Sequence, residues 1–547
     1  MTDKEFNLIN EAWIKIATQD SSVKEVNLLD VLTKAHEYRS LAGEMAAQDI
    51  AILRFLVALI HTIITRYDTN SKESYVELKE DCIERWRCFW ELGYFPSELV
   101  NKYLVRWQER FWLFHPDRPF YQVPRAINGT KNTVSKLNGA VSESNNKARL
   151  FSQISGIAKE KMSYSESARW LLFLNGFDDC AAKQADKSNG SRGSTIAWLG
   201  KLGIIHAIGN NLFETIMLNM PMIIEKDDSP WKQDIPTWEL ENVRSSERET
   251  IDMPDNLAGL YTLQSRRIIL KREANYVTGY SLLGGDSFED KNALNEPMTL
   301  WKLDEDSKTK VQYYKPLLHR RERYIWRDFS AITAAESSVI RPGVVSWCEL
   351  LRKKRILPAK RLLILGVICV RYDSSQSSSI TDSFADNVQF HADLLSEAGK
   401  SWRKEIQEQI SKIEDAASYL GFLVADLRRA DGLNPKEDDG PKAVAKERFF
   451  NEVDLDFRDW LTRLNSEQDN EERNTLAIEL ETLVKNVALS IGKELVNQTG
   501  DSTFIGRSVE LKNKVNMHYS SPEAYRRFKN KIWKLYSNMK GDEASEK

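Results

Sequence analysis

The string Gly284-Gly285-Asp286-Ser287-Phe288 is the first place where residue types and spacing could support catalysis. Palm domains of polymerases and nucleotide cyclases place a metal-binding carboxylate on a similar Gly-Gly-Asp hairpin. Two-metal chemistry needs at least two carboxylates near the ions, however, and the residue after Asp286 is a serine. We therefore interpret the string as the turn of a β-hairpin, and a palm-type polymerase or cyclase that uses Asp286 is an alternative.

Other catalytic and metal-binding motifs are missing from the sequence. It has no Walker A phosphate loop, no G-x-G-x-x-G fingerprint, no H-E-x-x-H zinc pair and no G-x-S-x-G nucleophile elbow. The seven histidines are scattered, and the five cysteines form no C-x-x-C pair, so neither a metal site nor a disulfide framework is expected. We predict a protein that is not an enzyme and that needs no cofactor and no metal.

Basic clusters are the features that favour nucleic-acid binding. Residues 320–327 interleave arginines with Tyr and Trp, residues 352–355 form a denser run, and basic pairs stand at 266–267 and 271–272. Because the formal net charge is −3, the alternative for each cluster is a solvated face or an ion pair within the protein.

Two polar segments and the last helix add to this picture. Residues 124–160 and 183–193 are interpreted as loops, and the Gly- and Ser-containing residues 188–193 suit close approach of backbone amides to DNA. The helix that begins near Ser521-Pro522 presents a basic face, on which we predict that Arg527 and Lys531 contact the opened target. A basic face that is merely solvated is the alternative for this helix.

The elements that must position these residues are mixed at first and helical later. Residues 6–14 predict a short strand with a turn, residues 28–32 begin a helix, and residues 44–121 are helical and rich in aromatics. Residues 255–326 favour strands, including the alternation from Leu260 to Leu263. Farther along, apolar residues recur at spacings of three and four, which indicates four amphipathic helices.

The 547 residues exceed what one hydrophobic core usually serves, so two domains are expected. A Ser-rich joint at 374–379 suggests the boundary. Residues 1–379 are predicted to form a large mixed α/β domain and residues 380–547 an antiparallel four-helix bundle, which makes the fold class α+β.

No membrane segment is predicted. The longest apolar stretch, from Ile50 to Ile64, is interrupted by Arg54 and His61 and is short for a bilayer, so we interpret it as a buried helix. The N-terminus lacks the pattern of a secretory signal. The predicted localisation is therefore cytoplasmic.

Several short motifs follow one another in order along nearly the whole chain. They are Asn7-Leu8-Ile9 followed by Trp13-Ile14, Lys-Leu-Asn-Gly-Ala-Val-Ser at 136–142, Ser-Arg-Gly-Ser-Thr at 191–195, the strand-like residues 257–270, and Tyr-Asp-Ser-Ser-Gln-Ser at 372–377. In this order they resemble the CasA family, the large subunits of the type I-E CRISPR surveillance complex Cascade.

The resemblance implies an N-terminal α/β domain of unusual fold, a C-terminal four-helix bundle and a role without catalysis. Members of the family recognise the protospacer-adjacent motif in duplex DNA, largely from the minor groove, promote strand opening and R-loop formation, and help recruit a nuclease-helicase. The implied partners are the other Cascade subunits, the 5′ region of the guide RNA, the target double-stranded DNA and the nuclease-helicase. A structural scaffold that binds protein partners only is a further alternative.

The resemblance also implies particular DNA contacts. Gln376 corresponds to the wedge inserted beside the first target base pair, and either Lys271 or Lys291 on the central strands provides a lysine contact. The chain has only Gly190 and Gly193 where better-known members carry a run of glycines, so the preferred motif is left open. The family's glycine loop and the tip of its long first loop correspond to residues whose DNA-binding candidates are Lys187, Asn189, Gly190, Arg192, Arg149 and Phe151.

Overall fold

The computed structural model describes residues 4–138, 160–180, 195–241, 250–333, 338–372, 380–510 and 516–537. The chain divides into two compact units. The first comprises Met1–Arg321, Ala331–Ile356 and Leu363–Asn387, and the second comprises Glu322–Ser330, Leu357–Leu362 and Val388–Lys547. Helices and strands mix in the first unit and helices dominate the second, so the fold is mixed α/β with a helical C-terminal region.

Fifteen α-helices lie in the described residues. They are α1 (Leu28–Thr33), α2 (Ala46–Arg66), α3 (Lys79–Leu92), α4 (Ser97–Arg106), α5 (Val134–Leu137), α6 (Tyr164–Phe177), α7 (Leu212–Leu218), α8 (Leu257–Tyr261), α9 (Phe329–Thr333), α10 (Gly343–Lys353), α11 (Lys400–Ala430), α12 (Gly440–Arg463), α13 (Asn470–Asn497), α14 (Asp501–Ile505) and α15 (Ser521–Leu535).

The strands of the described residues are short except near the middle of the chain. They are β1 (Glu5–Asn7), β2 (Ile14–Thr18), β3 (Val23–Val26), β4 (Tyr38–Leu41), β5 (Trp112–Phe114), β6 (Thr130–Thr133), β7 (Ile204–Ile208), β8 (Ile223–Ile224), β9 (Ser229–Pro230), β10 (Arg266–Glu273), β11 (Tyr276–Gly284), β12 (Trp301–Glu305), β13 (Gln312–Pro316), β14 (Val339–Ile340), β15 (Leu362–Tyr372), β16 (Ile380–His391), β17 (Arg507–Glu510) and β18 (Asn516–Tyr519).

Small sheets of two or three strands join these elements. Two of them position the candidate site: β10-β11-β6, with antiparallel pairing throughout, and β16-β15-β7. The second sheet makes the neighbouring strands β15 and β16 hydrogen-bonded partners, so the Ser-rich joint connects two strands of one sheet. The domain limit near residue 380 stays a prediction.

Helix α2 is the central helix of the first unit. It packs against α6, α7 and α8, and its apolar residues are buried along its whole length. By length and composition alone it is the one helix of the described residues that could cross a membrane, but 94% of its most apolar window is buried inside the protein. The expected buried helix is therefore present, and it is longer than the apolar stretch that predicted it.

The second unit is built from α11, α12, α13 and α15. Helix α11 packs against the other three, and α13 also packs against α12 and α15. Trp326, far earlier in the chain, belongs to this unit and is fully buried, with its ring stacked on Phe457 at 4.2 Å between centroids. The apolar spacing that predicted these helices reflects their shared core, to which Ile410, Leu420 and Phe457 contribute.

Three sequence-based expectations are wrong. Residues 257–261 form α8 rather than a strand, because Asn256 caps a single helical turn by accepting a hydrogen bond from the N–H of Gly259. Gly284 ends β11, and the hairpin turn between β10 and β11 instead contains Ala274, which has a φ of 50°. Residues 124–138 are not a loop, because β6 pairs with β11 and α5 buries Val134.

Candidate nucleic-acid interface

Seven of the predicted contacts lie outside the described residues. They fall in three segments, 139–159, 181–194 and 373–379, which we call the first, second and third segments. The residues concerned are Arg149 and Phe151 in the first, Lys187, Asn189, Gly190 and Arg192 in the second, and Gln376 in the third. The residues that flank these segments are described, and their contacts show how the segments are anchored.

Arg266, the first residue of β10, joins both ends of the second segment. Its Nε pairs with the carboxylate of Asp178, and its Nη2 donates to the backbone carbonyls of Asp179 at 2.9 Å and of Thr195 at 2.6 Å. The backbone N–H of Ala197 also donates to the carbonyl of Asp178 at 3.0 Å. A planar guanidinium can bridge several acceptors in this way, so the two ends of the segment are held together.

The burial of this pair makes it a strong constraint. The side chains of Arg266 and Asp178 are only 4% and 3% exposed. Removing one partner of a buried ion pair leaves the other charge uncompensated, which costs about 3–5 kcal/mol. The ion pair therefore stays formed in the folded protein.

Tyr372, the last residue of β15, connects the third segment to the same place. Its hydroxyl donates to the carbonyl of Phe177, the last residue of α6, at 2.7 Å. Burial raises the pKa of Tyr372 well above its usual value, so the phenol keeps its proton. A Cβ on Gly200 would lie 2.2 Å from the Tyr372 hydroxyl, so only glycine permits this close approach.

The first segment starts beside the second. Lys136, on α5, pairs with the carboxylate of Asp179 at 3.7 Å, and both side chains are mostly buried. A cavity of about 230 Å³ lies between the flanking residues of all three segments. It is lined by Lys136, Leu137 and Asn138, by Asp178 and Asp179, and by Ile380, Thr381, Asp382 and Ser383.

The sequence model of the family described as CRISPR-associated protein Cse1 matches residues 7–490 of this chain. The chain belongs to the Cse1 family.

Individual relatives agree with this membership. The CRISPR-associated protein CasA/Cse1 of Thermus thermophilus is 28% identical over 334 residues, so the match spans 60% of this chain and 60% of the relative. The crystal structure of Thermobifida fusca Cse1 is 26% identical, with a TM-score of 0.80 over 97% of this chain and 98% of that one. A chain in a CRISPR RNA-guided surveillance complex has the same fold, with 18% identity and a TM-score of 0.70 over 97% and 100% of the two chains.

The two lysines predicted as alternatives in this Cse1 family member lie in different sheets. Lys271 is on β10 at the bulge of the hairpin, and its largely exposed side chain pairs with Glu273 at 3.2 Å. Lys291 lies 4.4 Å above the ring of Tyr313 and pairs with Asp306 at 3.8 Å. The choice between them stays a prediction.

On α15, the two predicted contacts differ in their surroundings. Arg527 pairs with Asp426 of α11 at 3.0 Å and is mostly buried, so much of its charge is used within the protein. Lys531 is exposed and lies over the rings of Tyr419 and Phe422, at 5.2 and 4.6 Å. Of the two, Lys531 is the cation presented to solvent.

The other basic clusters are engaged largely in ion pairs within the protein. Arg323 and Arg327 both bind the carboxylate of Glu414, at 2.9 and 3.1 Å. Lys354 pairs with Glu80 at 2.8 Å. The alternative that was kept open for these clusters, an ion pair within the protein, is therefore the one observed.

Asp286 has a partner that a metal-binding carboxylate would not have. Arg267, whose side chain is 1% exposed, donates to Asp286 Oδ1 at 2.6 Å. Among the described residues, no group of three or more His, Cys, Asp or Glu side chains is arranged to hold a metal ion. The geometry therefore gives the palm-type alternative no support.

Sequence reasoning missed the two residues that anchor the segments. Arg266 was assigned to a basic surface pair, although it is buried, and Tyr372 was noted only as the start of a polar joint. The available signal was the position of each at an end of a β-strand beside a polar segment. Their partners, Asp178 and Phe177, are too distant in sequence for local patterns to reveal.

Proposed function

We propose that this Cse1 family member is the large, non-catalytic subunit of a type I-E Cascade complex. In this role it recognises the protospacer-adjacent motif in duplex DNA, promotes strand opening and R-loop formation, and helps recruit the nuclease-helicase. The observation that carries the proposal is the convergence of the flanking residues of all three segments at Asp178, Arg266 and Tyr372. Residues predicted separately to touch DNA thus start from one place on the protein.

The proposed division of labour follows the physics of duplex recognition. Lysine and arginine neutralise phosphates, glycine permits close approach of the backbone, and an inserted side chain offsets part of the cost of unstacking a base step. Gln376 is proposed as the inserted wedge, and the guide RNA supplies the longer sequence specificity by base pairing. The proposed duplex contacts are Lys187, Asn189, Gly190, Arg192, Arg149 and Phe151, with Lys271 or Lys291.

The helical C-terminal region has a separate proposed role. We propose that α11, α12, α13 and α15 form an antiparallel four-helix bundle that meets other Cascade subunits and the opened DNA, the latter through Lys531. The further proposed partners are the 5′ region of the guide RNA and the nuclease-helicase. Such a complex works on DNA in the cytoplasm.

Salt dependence tests the duplex contact directly. The complex is assembled with the double variant Lys187→Ala and Arg192→Ala, and its binding to a short duplex is measured over a range of salt concentrations. Each lost phosphate contact releases fewer counterions, so the slope of log affinity against log salt should flatten by roughly 0.9 per contact. The control is Lys226→Ala with Lys308→Ala, two exposed lysines outside the three segments.

The flanking motif separates the alternatives. A library of duplexes with randomised bases beside the target identifies the motif that the wild-type complex prefers. A complex that assembles normally but shows no preference, with an unchanged salt slope in the double variant, would support the scaffold alternative and refute the proposal.

A further inference from the structure

Two contacts link the third segment to the second. The hydroxyl of Tyr372, immediately before the third segment, donates to the carbonyl of Phe177 at 2.7 Å. The same hydroxyl lies against Gly200, a few residues after the second segment. Tyr372 therefore touches the chain on both sides of the second segment.

Phe177 is itself part of the rigid clamp. It directly precedes Asp178 and Asp179, which Arg266 holds to Thr195 across the second segment. Strand β15 carries Tyr372 from the buried sheet with β7 and β16, so its position is fixed from that side too. Movement of the clamp thus reaches the start of the third segment through one buried hydrogen bond.

We propose that Tyr372 is a positioning residue that makes strand opening depend on recognition of the flanking motif. The inference rests on the proposed function, because it joins the segment proposed to read the motif to the segment proposed to hold the wedge. Coupling between two sites requires differential contacts that both can bias, and the Tyr372 hydrogen bond to the clamp is such a contact. Without it, the two segments act independently.

The variant Tyr372→Phe removes only the hydroxyl. The complete complex is assembled with guide RNA, and opening of linear duplexes is followed by the fluorescence of 2-aminopurine at the first target positions. Opening rates are compared for the preferred and for a disfavoured flanking motif. One lost hydrogen bond to a buried carbonyl corresponds to about a tenfold change, so the ratio of the two rates should fall about tenfold.

The loss should come from the preferred motif alone. Binding of a short duplex that carries only the flanking motif should stay at the wild-type level, and a pre-opened bubble should restore the rate. Tyr280→Phe is the matched control. Tyr280 is buried and lines the cavity beside Asp178 and Asp179, but among the described residues its hydroxyl makes no hydrogen bond.

Three results would overturn the inference. The first is a wild-type rate ratio in Tyr372→Phe. The second is equal slowing on both motifs, which would mean that the hydroxyl only supports the fold. The third is the same loss of ratio in Tyr280→Phe. Failure of the proposed function looks different, because the wild-type complex itself would then show no preference between motifs.

Discussion

Asp49 lies in the first turn of α2 and accepts a hydrogen bond from the backbone N–H of Gly43 at 2.8 Å. Burial has the largest influence on its carboxyl and raises its pKa from 3.8 to about 7, and the Glu44 carboxylate adds to the rise. The charges of Arg169 and Lys15 act in the opposite direction. The replacement Asp49→Asn keeps an oxygen that can accept from Gly43 and removes the ionisable proton.

The magnitude follows from the difference between the folded and unfolded pKa values. Between pH 4 and 7 the folded chain holds the Asp49 proton while the unfolded chain releases it, so the free energy of unfolding falls as the pH rises. Relative to a side chain that never ionises, the wild-type protein loses about 1.5 kcal/mol at pH 5 and about 4 kcal/mol at pH 8. We therefore expect the stabilisation by Asp49→Asn to grow by about 2.5 kcal/mol over this interval.

The assay is urea-induced unfolding of both proteins at about pH 5 and about pH 8. Taking the difference between them removes contributions that they share. His206 is one of these, because burial lowers its pKa to about 4 and makes stability rise with pH up to its ordinary value of 6.5. Asp49→Ala is the control: it should show the same pH dependence but lower stability than Asp49→Asn at both pH values, since it leaves the Gly43 N–H without this acceptor. A difference that stays constant or shrinks toward pH 8 would refute the reasoning.

Two further variants test the core and the C-terminal surface. Glu296→Gln removes the charge that pairs with Arg54 at 2.7 Å, and because both side chains are buried we expect a loss of about 3–5 kcal/mol in the free energy of unfolding, measured by urea titration; a loss below about 1 kcal/mol would contradict this account. Lys531→Glu should weaken binding of the opened target and reduce its salt slope by about 1 while sparing the short flanking duplex. Lys529→Glu makes the same charge change on another side of α15, and an equal effect of both variants would argue against a specific contact.

Local sequence patterns predicted the elements that are long or strongly periodic. The helical spacing after residue 400 corresponds to α11, α12 and α13, and Ser521-Pro522 marks the start of α15. The one-turn helix α8 was missed because five residues are too few for a period to appear, although Asn256 provides a capping signal.

The candidate site was less predictable than the fold. A basic pair such as Arg266-Arg267 has the same local sequence whether it lies on the surface or is buried. What buries it is the supply of acceptors from elsewhere, Asp178 for the first arginine and Asp286 for the second. These partners are set by tertiary structure, which a single sequence does not reveal.

Trp326 has a consequence for biosynthesis. It packs within the second unit on Phe457, yet it leaves the ribosome before any of the helices α11, α12, α13 and α15 has been made. Its large indole ring must wait exposed, or be sheltered by a chaperone, until α12 arrives. A fragment that begins after residue 330 would never acquire this ring, and the apolar surface around Phe457 would face water instead.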